Sequence, residues 1–205
     1  MRIDTFAAGS LDTNAYLIID EVSSCAIIVD APENVARLLV PAVRDAACVV
    51  RQIIITHGHW DHIAGLGELL ESFPVPVAVH PLVIDRLTRP SASLPVKVDP
   101  VEPDEELNEG DTIDVGETAF SVMHLPGHDE GHIVLYSDSE KVVLGGDVLF
   151  PAGHGRTDLP GSDQRTMDQS LARLAALPDD VTVYPGHGLP TTIGAERGWL
   201  PTEET

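Results

Sequence analysis

The sequence predicts a mixed α/β (α+β) fold in which two β-sheets pack together with helices outside. Short β-rich apolar runs recur in both halves of the chain. Each half also contains a segment whose apolar residues follow helical spacing. The 205 residues, with 43% apolar content, supply enough material for a sizeable core. No repeat, low-complexity tract or clear linker divides the chain. It reads as a single domain over residues 1–205.

The first strands are "TNAYLII" (Thr13 to Ile19) and "CAIIVD" (Cys25 to Asp30), joined by a turn over Asp20 to Ser24. "PENVARLLVPAVRDAA" (Pro32 to Ala47) places Val35, Leu38, Leu39 and Val43 at helical spacing, and Pro41 is expected to kink or divide that helix. "RQIIIT" (Arg51 to Thr56) is an apolar strand of the buried kind. Asp61 is expected to cap a helix through "HIAGLGELLESF". "VPVAVH" (Val75 to His80) is a further strand, and Pro81 starts a short helix, "PLVIDRLT". The Pro-rich, acidic stretch from Arg89 to Asp111 reads as a surface connection. Strands return at "DTIDV", "TAFSVMHL", "HIVLYS" and "KVVLGG". A helix over Ser162 to Leu177 and a last strand, "VTVYP", follow.

Composition narrows the function. Twelve Lys and Arg face 33 Asp and Glu, for a formal charge of −21. Such a surface repels phosphate backbones and anionic membranes, which argues against both as partners. No apolar run reaches membrane-spanning length, and the first residues lack the apolar core of a secretory signal. Cys25 and Cys48 show no pairing pattern and read as reduced thiols of a cytosolic protein, Cys25 as a small core residue.

The chemistry concentrates in "ITHGHWDH". It places His57, His59, Asp61 and His62 within six residues, where a buried strand stops and a helix begins. Imidazole and carboxylate without thiolate suit zinc, and also ferrous iron or manganese. Residues 57 and 59 point one way from an extended segment, while 61 and 62 lie on the next turn. One ion could hardly take all four; two adjacent ions could. Further candidates each follow a strand and a glycine: His128 in "HLPGH", Asp147 in "LGGD" and His187 in "YPGH". Five histidines and two aspartates thus form a plausible two-ion site.

"THGHWDH", "LPGHDEGH", "LGGDVLF" and "YPGHG" resemble, in order and spacing, the motifs of metallo-β-lactamase-fold hydrolases. "TNAYLI" and "IIVDAP" match the strands that precede them. "GRTDLPGSD" and "GHGLPTTIGAER" look like the small glyoxalase II-like (hydroxyacylglutathione hydrolase-like) branch. The resemblance implies a four-layer αββα sandwich with two divalent metal ions, zinc first, iron or manganese otherwise. His57, His59 and His128 would hold the first ion. Asp61, His62 and His187 would hold the second, and Asp147 would bridge. Asp61 could in addition shuttle a proton. Two dications against two aspartates and a hydroxide leave a centre of about +1, and coordination brings the pKa of bound water to near 7. The expected substrate is a small thioester or ester.

Other residues divide between structural and functional readings. Asp30 and Thr56 either hold the metal loop or cap a turn. His80 and His124 read as structural. His132 belongs to "PGHDEGH", which departs from the family's usual Pro-Gly-His-Thr-Pro-Gly-Ser. That change alters either substrate fit or only the turn. His154 reads as solvent-exposed, and Arg156 as an ion-pair partner of Asp158 or a contact for a substrate carboxylate. Trp60 walls the pocket or packs beneath the loop. Only 18 residues follow His187, so the helical extension with which full glyoxalase II enzymes grip glutathione is not expected. Alternatives on the same fold are a mononuclear-iron persulfide dioxygenase, a lactonase, a ribonuclease Z-type nuclease (disfavoured by charge), a β-lactamase and a non-catalytic metal-binding protein.

Overall fold

The computed structural model describes residues 1–201 and shows two six-stranded sheets. The first sheet runs in order through β1 (Arg2–Ala8), β2 (Thr13–Asp20), β3 (Cys25–Val29), β4 (Val49–Ile55), β5 (Val77–Val79) and β6 (Glu105–Glu106). The first three strands are antiparallel, and from β3 onward the pairings are parallel. The second sheet contains β7 (Thr112–Val115), β8 (Thr118–His124), β9 (Ile133–Ser137), β10 (Val142–Gly146), β13 (Thr182–Pro185) and β14 (Thr191–Thr192). β10 and β13 pair in parallel. A small hairpin, β11 (Leu149–Phe150) with β12 (Gly153–His154), stands apart.

Strand periodicity explains the layers. β2 is buried at every position. Its residues 15, 17 and 19 enter one apolar cluster, while 16 and 18 enter another. Alternate side chains of a strand face opposite ways, so β2 is covered on both faces. Between the sheets, Ile27, Val29 and Ile54 meet Phe120, Leu135 and Leu144. Outside the first sheet lie α1 (Ala36–Ala46) and α3 (Leu66–Ser72), whose Leu39, Val43, Leu66 and Leu69 cover Ile28 and Ile53. Outside the second lies α5 (Gln164–Ala175), whose Met167, Leu171 and Leu174 cover Val134 and Val183. The result is the αββα sandwich that the motifs imply.

Several local expectations are corrected. α1 runs through Pro41 undivided. A proline deletes one i→i−4 bond, here to the carbonyl of exposed Arg37, which water can satisfy. The helix expected after Asp61 is two short ones, α2 (Trp60–Ile63) and α3, broken at Gly65. There the chain passes so close to the Pro32 carbonyl that a side chain would collide with it. His59, not Asp61, is the N-cap of α2, and the Asp61 carboxylate is used elsewhere. Cys25 is only half-buried, whereas Cys48 is buried. β1, β14, the β11–β12 hairpin and the short α6 (Ile193–Glu196) carry no prior signal. Among the described residues no helix is long and apolar enough to cross a membrane.

Candidate metal centre

The seven residues singled out by spacing converge at one edge of the sandwich. β4 delivers His57 and His59 at its exit, and α2 carries Asp61 and His62. His128 sits in the turn after β8, Asp147 after β10 and His187 after β13. Two backbone bonds tie these turns together: Gly186 N–H to the Gly146 carbonyl (2.7 Å) and Asn14 N–H to the Gly186 carbonyl (2.7 Å). Gly186 has no alternative residue, because a Cβ there would run into Asp147 Oδ1. Gly146 takes φ +45 and abuts His132. That sharp left-handed bend aims Asp147 back at the cluster.

Ligand-type atoms fall into three groups, each with its atoms within 4.8 Å of one another: His57, His59 and His128; His57, His62 and Asp147; Asp61, His62 and His187. In the first, His59 Nδ1 lies 3.1 Å from His57 Nε2 and 2.8 Å from His128 Nε2. Lone pairs facing one another at such distances repel unless a proton or a cation stands between them. Asp147 reaches across, with Oδ1 3.4 Å from His62 Nε2 and Oδ2 3.4 Å from His128 Nε2. His187 Nε2 is 3.2 Å from Asp61 Oδ2. His62 Nε2 and Asp147 Oδ1 are buried without a hydrogen-bond partner. Buried polar atoms are seldom left so. The donor set and these orphaned atoms fit divalent cations.

Each imidazole turns its other nitrogen outward. His57 Nδ1 meets Thr56 Oγ1 at 3.0 Å, and His62 Nδ1 meets Asp30 Oδ2 at 2.7 Å. His128 Nδ1 meets the Arg156 carbonyl at 2.8 Å, and His187 Nδ1 the Leu11 carbonyl at 3.1 Å. Such outer bonds fix tautomer and ring orientation. Asp30 also accepts from Thr56 N–H (2.8 Å) and Thr56 Oγ1 (2.9 Å), so Asp30 and Thr56 hold the metal loop rather than cap an isolated turn. Thr13, which sequence reasoning missed, donates its hydroxyl to Asp61 Oδ2 at 2.8 Å. Its one signal was its place at the head of "TNAYLI".

The fifth imidazole, His59, finds no outer hydrogen bond of ordinary length. Its Nε2 stands 3.9 Å from Asp129 Oδ2. Asp129 is fully buried, accepts from Gly131 N–H at 2.8 Å and pairs with Arg86. The departure at 129 therefore supplies a carboxylate behind His59, and Arg86 of α4 (Ile84–Thr88) balances it. Asp129→Asn should weaken retention of an ion by His57, His59 and His128 on the order of tenfold or more, read by competition with a chromophoric chelator. Unchanged retention would show that Asp129 only shapes the turn.

His132 is buried and stacked on His57 (centroids 4.7 Å apart, 20° between planes). Its Nε2 accepts the Asp147 N–H at 2.9 Å. It supports two of the candidate ligands, His57 and Asp147, from behind and does not face the cleft. His80 and His124 stack on each other (4.1 Å, 14°), and His80 Nδ1 accepts the Leu82 N–H, consistent with a structural role. His154 is half-buried and bonds the Gly155 carbonyl through Nδ1. Arg156 forms the expected two-point pair with Asp158 (2.7 and 2.8 Å) at the cleft mouth. Trp60 both walls the cleft and packs on the core.

Protonation follows burial. Desolvation, then neighbouring imidazoles, hold His57 and His132 well below the ordinary range. Desolvation brings His59 down to about 3 and lowers His128. For His62, burial opposes the charge, but Asp30 and Asp147 outweigh it and raise the pKa. His187 is raised against burial by Asp61. Burial would lift Asp61, yet His187, His62 and Thr13 bring it to about 2. His80 is lowered as well, by burial and then by His124, to about 4. In the metal-free protein these five depressed imidazoles contribute stability that is complete above the unfolded value of about 6.5 and is lost as pH falls below it. His62 and His187 act oppositely, two groups against five. The unfolding temperature of the metal-stripped protein should therefore fall between pH 7 and pH 5. A flat or rising profile would contradict this protonation pattern.

A metallo-beta-lactamase superfamily model matches residues 8–187. The chain belongs to this superfamily. The Haemophilus influenzae hydroxyacylglutathione hydrolase GloC is 33% identical, with 96% of this chain and 95% of that protein covered. Among solved structures, the BLEG-1 B3 metallo-beta-lactamase superposes with a TM-score of 0.88 at 31% identity, covering 98% of both chains. TTHA1623 in a di-iron-bound form gives 0.83 at 33% identity, covering 94% of this chain and 96% of that one. ETHE1 from Myxococcus xanthus gives 0.80 at 28%, covering 98% and 84%. The chain is thus a metallo-beta-lactamase superfamily hydrolase with a His/Asp metal-binding cluster.

Proposed function

We propose that the protein hydrolyses a thioester or ester with two divalent ions at this centre. His57, His59 and His128 would hold one ion and Asp61, His62 and His187 the other, with Asp147 placed to serve both. The observation that carries the reading is the second ligand group, Asp61, His62 and His187, beside the first. Bound divalent ions supply Lewis acidity and bring coordinated water to an ionisation near neutral pH. The chain's own residues do the rest. Asp30, Thr56 and the Leu11 and Arg156 carbonyls hold four ligand rings in orientation. Thr13 holds Asp61, whose low pKa suits a permanently anionic ligand better than a proton carrier. A cleft of about 1040 Å³ opens over His59, Asp61, His128, Asp147 and His187 and positions the substrate carbonyl. In the net reaction water adds its hydroxyl to the carbonyl carbon. The carbon–sulfur or carbon–oxygen bond breaks, and the remaining proton leaves with the thiol or alcohol.

Zinc is the ion proposed first; the di-iron form of TTHA1623 keeps iron as the alternative. The likeness to GloC supports a glyoxalase II-like thioesterase, and a cytoplasmic setting accords with two unpaired cysteines. Elemental analysis of purified protein should find close to two equivalents of metal per chain, with turnover on a panel of thioesters, esters and lactones. Two bound ions without turnover on any of these would overturn the reading. One iron with oxygen uptake on glutathione persulfide would favour the dioxygenase instead.

A further inference from the structure

The cleft over the metal centre is walled by Trp60, Ile63, Leu94, Phe150, Leu159 and Pro160. Leu11, half-exposed, extends this apolar lining at the rim. Three arginines also reach the cleft, and each is already engaged. Arg86 pairs with buried Asp129 and lies near Glu130. Arg89 pairs with Asp85, and Arg156 with Asp158. Cation and anion cancel at each of these points, so the rim offers no uncompensated positive charge. The formal charge of −21 extends a repulsive field toward any anionic substrate. Substrate sites are commonly apolar with a few placed polar groups, and here the placed groups are the metal ligands themselves.

We infer that the substrate is an uncharged ester or thioester that carries an apolar chain or ring beside the scissile carbonyl, and not a thioester of an anionic thiol with a small polar acyl group. The inference rests on the hydrolase reading above, and in place of the glutathione thioester that the GloC likeness would supply it puts a neutral, apolar one. The apolar group lies against Trp60, Leu94 and Leu159. The carbonyl then faces the ligand cluster at the cleft floor. Water enters the carbonyl carbon, the carbon–sulfur bond breaks, and a neutral thiol and a fatty or aromatic acid leave.

The test uses metal-loaded protein and one neutral thiol. The kcat/KM values of S-acetyl-, S-butanoyl- and S-octanoyl-N-acetylcysteamine are compared, with S-octanoylglutathione as the anionic counterpart. Each fully buried methylene favours binding by about fourfold, so the octanoyl ester should exceed the acetyl ester by roughly tenfold or more even when its chain is only partly covered. The same acyl group on glutathione should be slower, with the gap narrowing as salt is added. Leu94→Asp should shrink the octanoyl-to-acetyl ratio. Binding is read separately in a Trp199→Phe background, where Trp60 is the remaining tryptophan. A non-hydrolysable 2-oxodecyl thioether of N-acetylcysteamine should change its fluorescence, and the 2-oxobutyl analogue far less. Rates that are flat or falling with chain length, or a preference for the glutathione thioester, overturn the inference and leave the hydrolase standing. No turnover on any member overturns both.

Discussion

Asp147→Ala should reduce bound metal from two equivalents to one or fewer and lower turnover by about 10³-fold or more, a loss of roughly 4 kcal/mol of transition-state stabilisation. The expectation follows from where the carboxylate stands. One oxygen lies 3.4 Å from His62 Nε2 and the other 3.4 Å from His128 Nε2, so a single side chain faces both ligand groups. It is one of only two carboxylates among the seven proposed ligands, and without it two dications would share a single anionic ligand at close range. Its own pKa is depressed although burial works against the charge, with His62 the largest favourable influence, so the anion is present at every working pH. Asp147→Asn keeps the shape and removes the charge. It should follow the same direction with a smaller loss of metal. Metal content by mass spectrometry and kcat/KM on the preferred thioester measure both. Two retained ions with turnover within tenfold of the parent would exclude the bridging role.

What was legible in the chain follows from what local chemistry can encode. The cluster from His57 to His62 is visible because four ligand-type side chains in six residues have no packing rationale. His128, Asp147 and His187 are visible because each ends a β-rich run at a glycine. The sandwich is visible because strands such as β2 and β4 carry apolar runs that need cover on both faces. Contacts between distant segments are a different matter. Thr13 lies 48 positions from Asp61, and nothing in its neighbours marks it as a donor to a ligand. Arg86 is one of 12 basic residues, and only the folded chain brings it over Gly58 to Asp129. The turn "PGHDEGH" announced a change without its sense. The structure gives it one, with Asp129 behind His59 and His132 stacked on His57. Two-residue strands such as β6 and β14 have too little sequence for any period to show.

Asp30→Ala should be the most destabilising single change near the centre. Asp30 is buried and accepts from Thr56 N–H, Thr56 Oγ1 and His62 Nδ1, at 2.8, 2.9 and 2.7 Å. Alanine strands three buried donors at once, and removing one member of a buried charged pair costs about 3–5 kcal/mol. The backbone adds to this. Asp30 sits at φ +63, which aspartate and asparagine tolerate and alanine does not. For a chain of this size the unfolding temperature should fall by roughly 6–20 °C. Two further variants separate the causes. Asp30→Gly accepts the left-handed backbone and still loses the acceptor, so it should recover only the smaller, conformational share. Asp30→Asn keeps both shape and backbone but removes the charge. It should leave the fold standing and weaken the ion held by Asp61, His62 and His187 about 10–100-fold, because His62 loses the partner that fixes its ring. The pH dependence gives an independent check on metal-free protein. Asp30 and Asp147 raise the His62 pKa, and the resulting stability is complete below the unfolded value of about 6.5 and is lost as pH rises through the folded one. Asp30→Asn should therefore cost more at pH 6 than at pH 9. An equal cost at both would mean that Asp30 acts through hydrogen-bond geometry alone and that His62 is neutral in the metal-free fold.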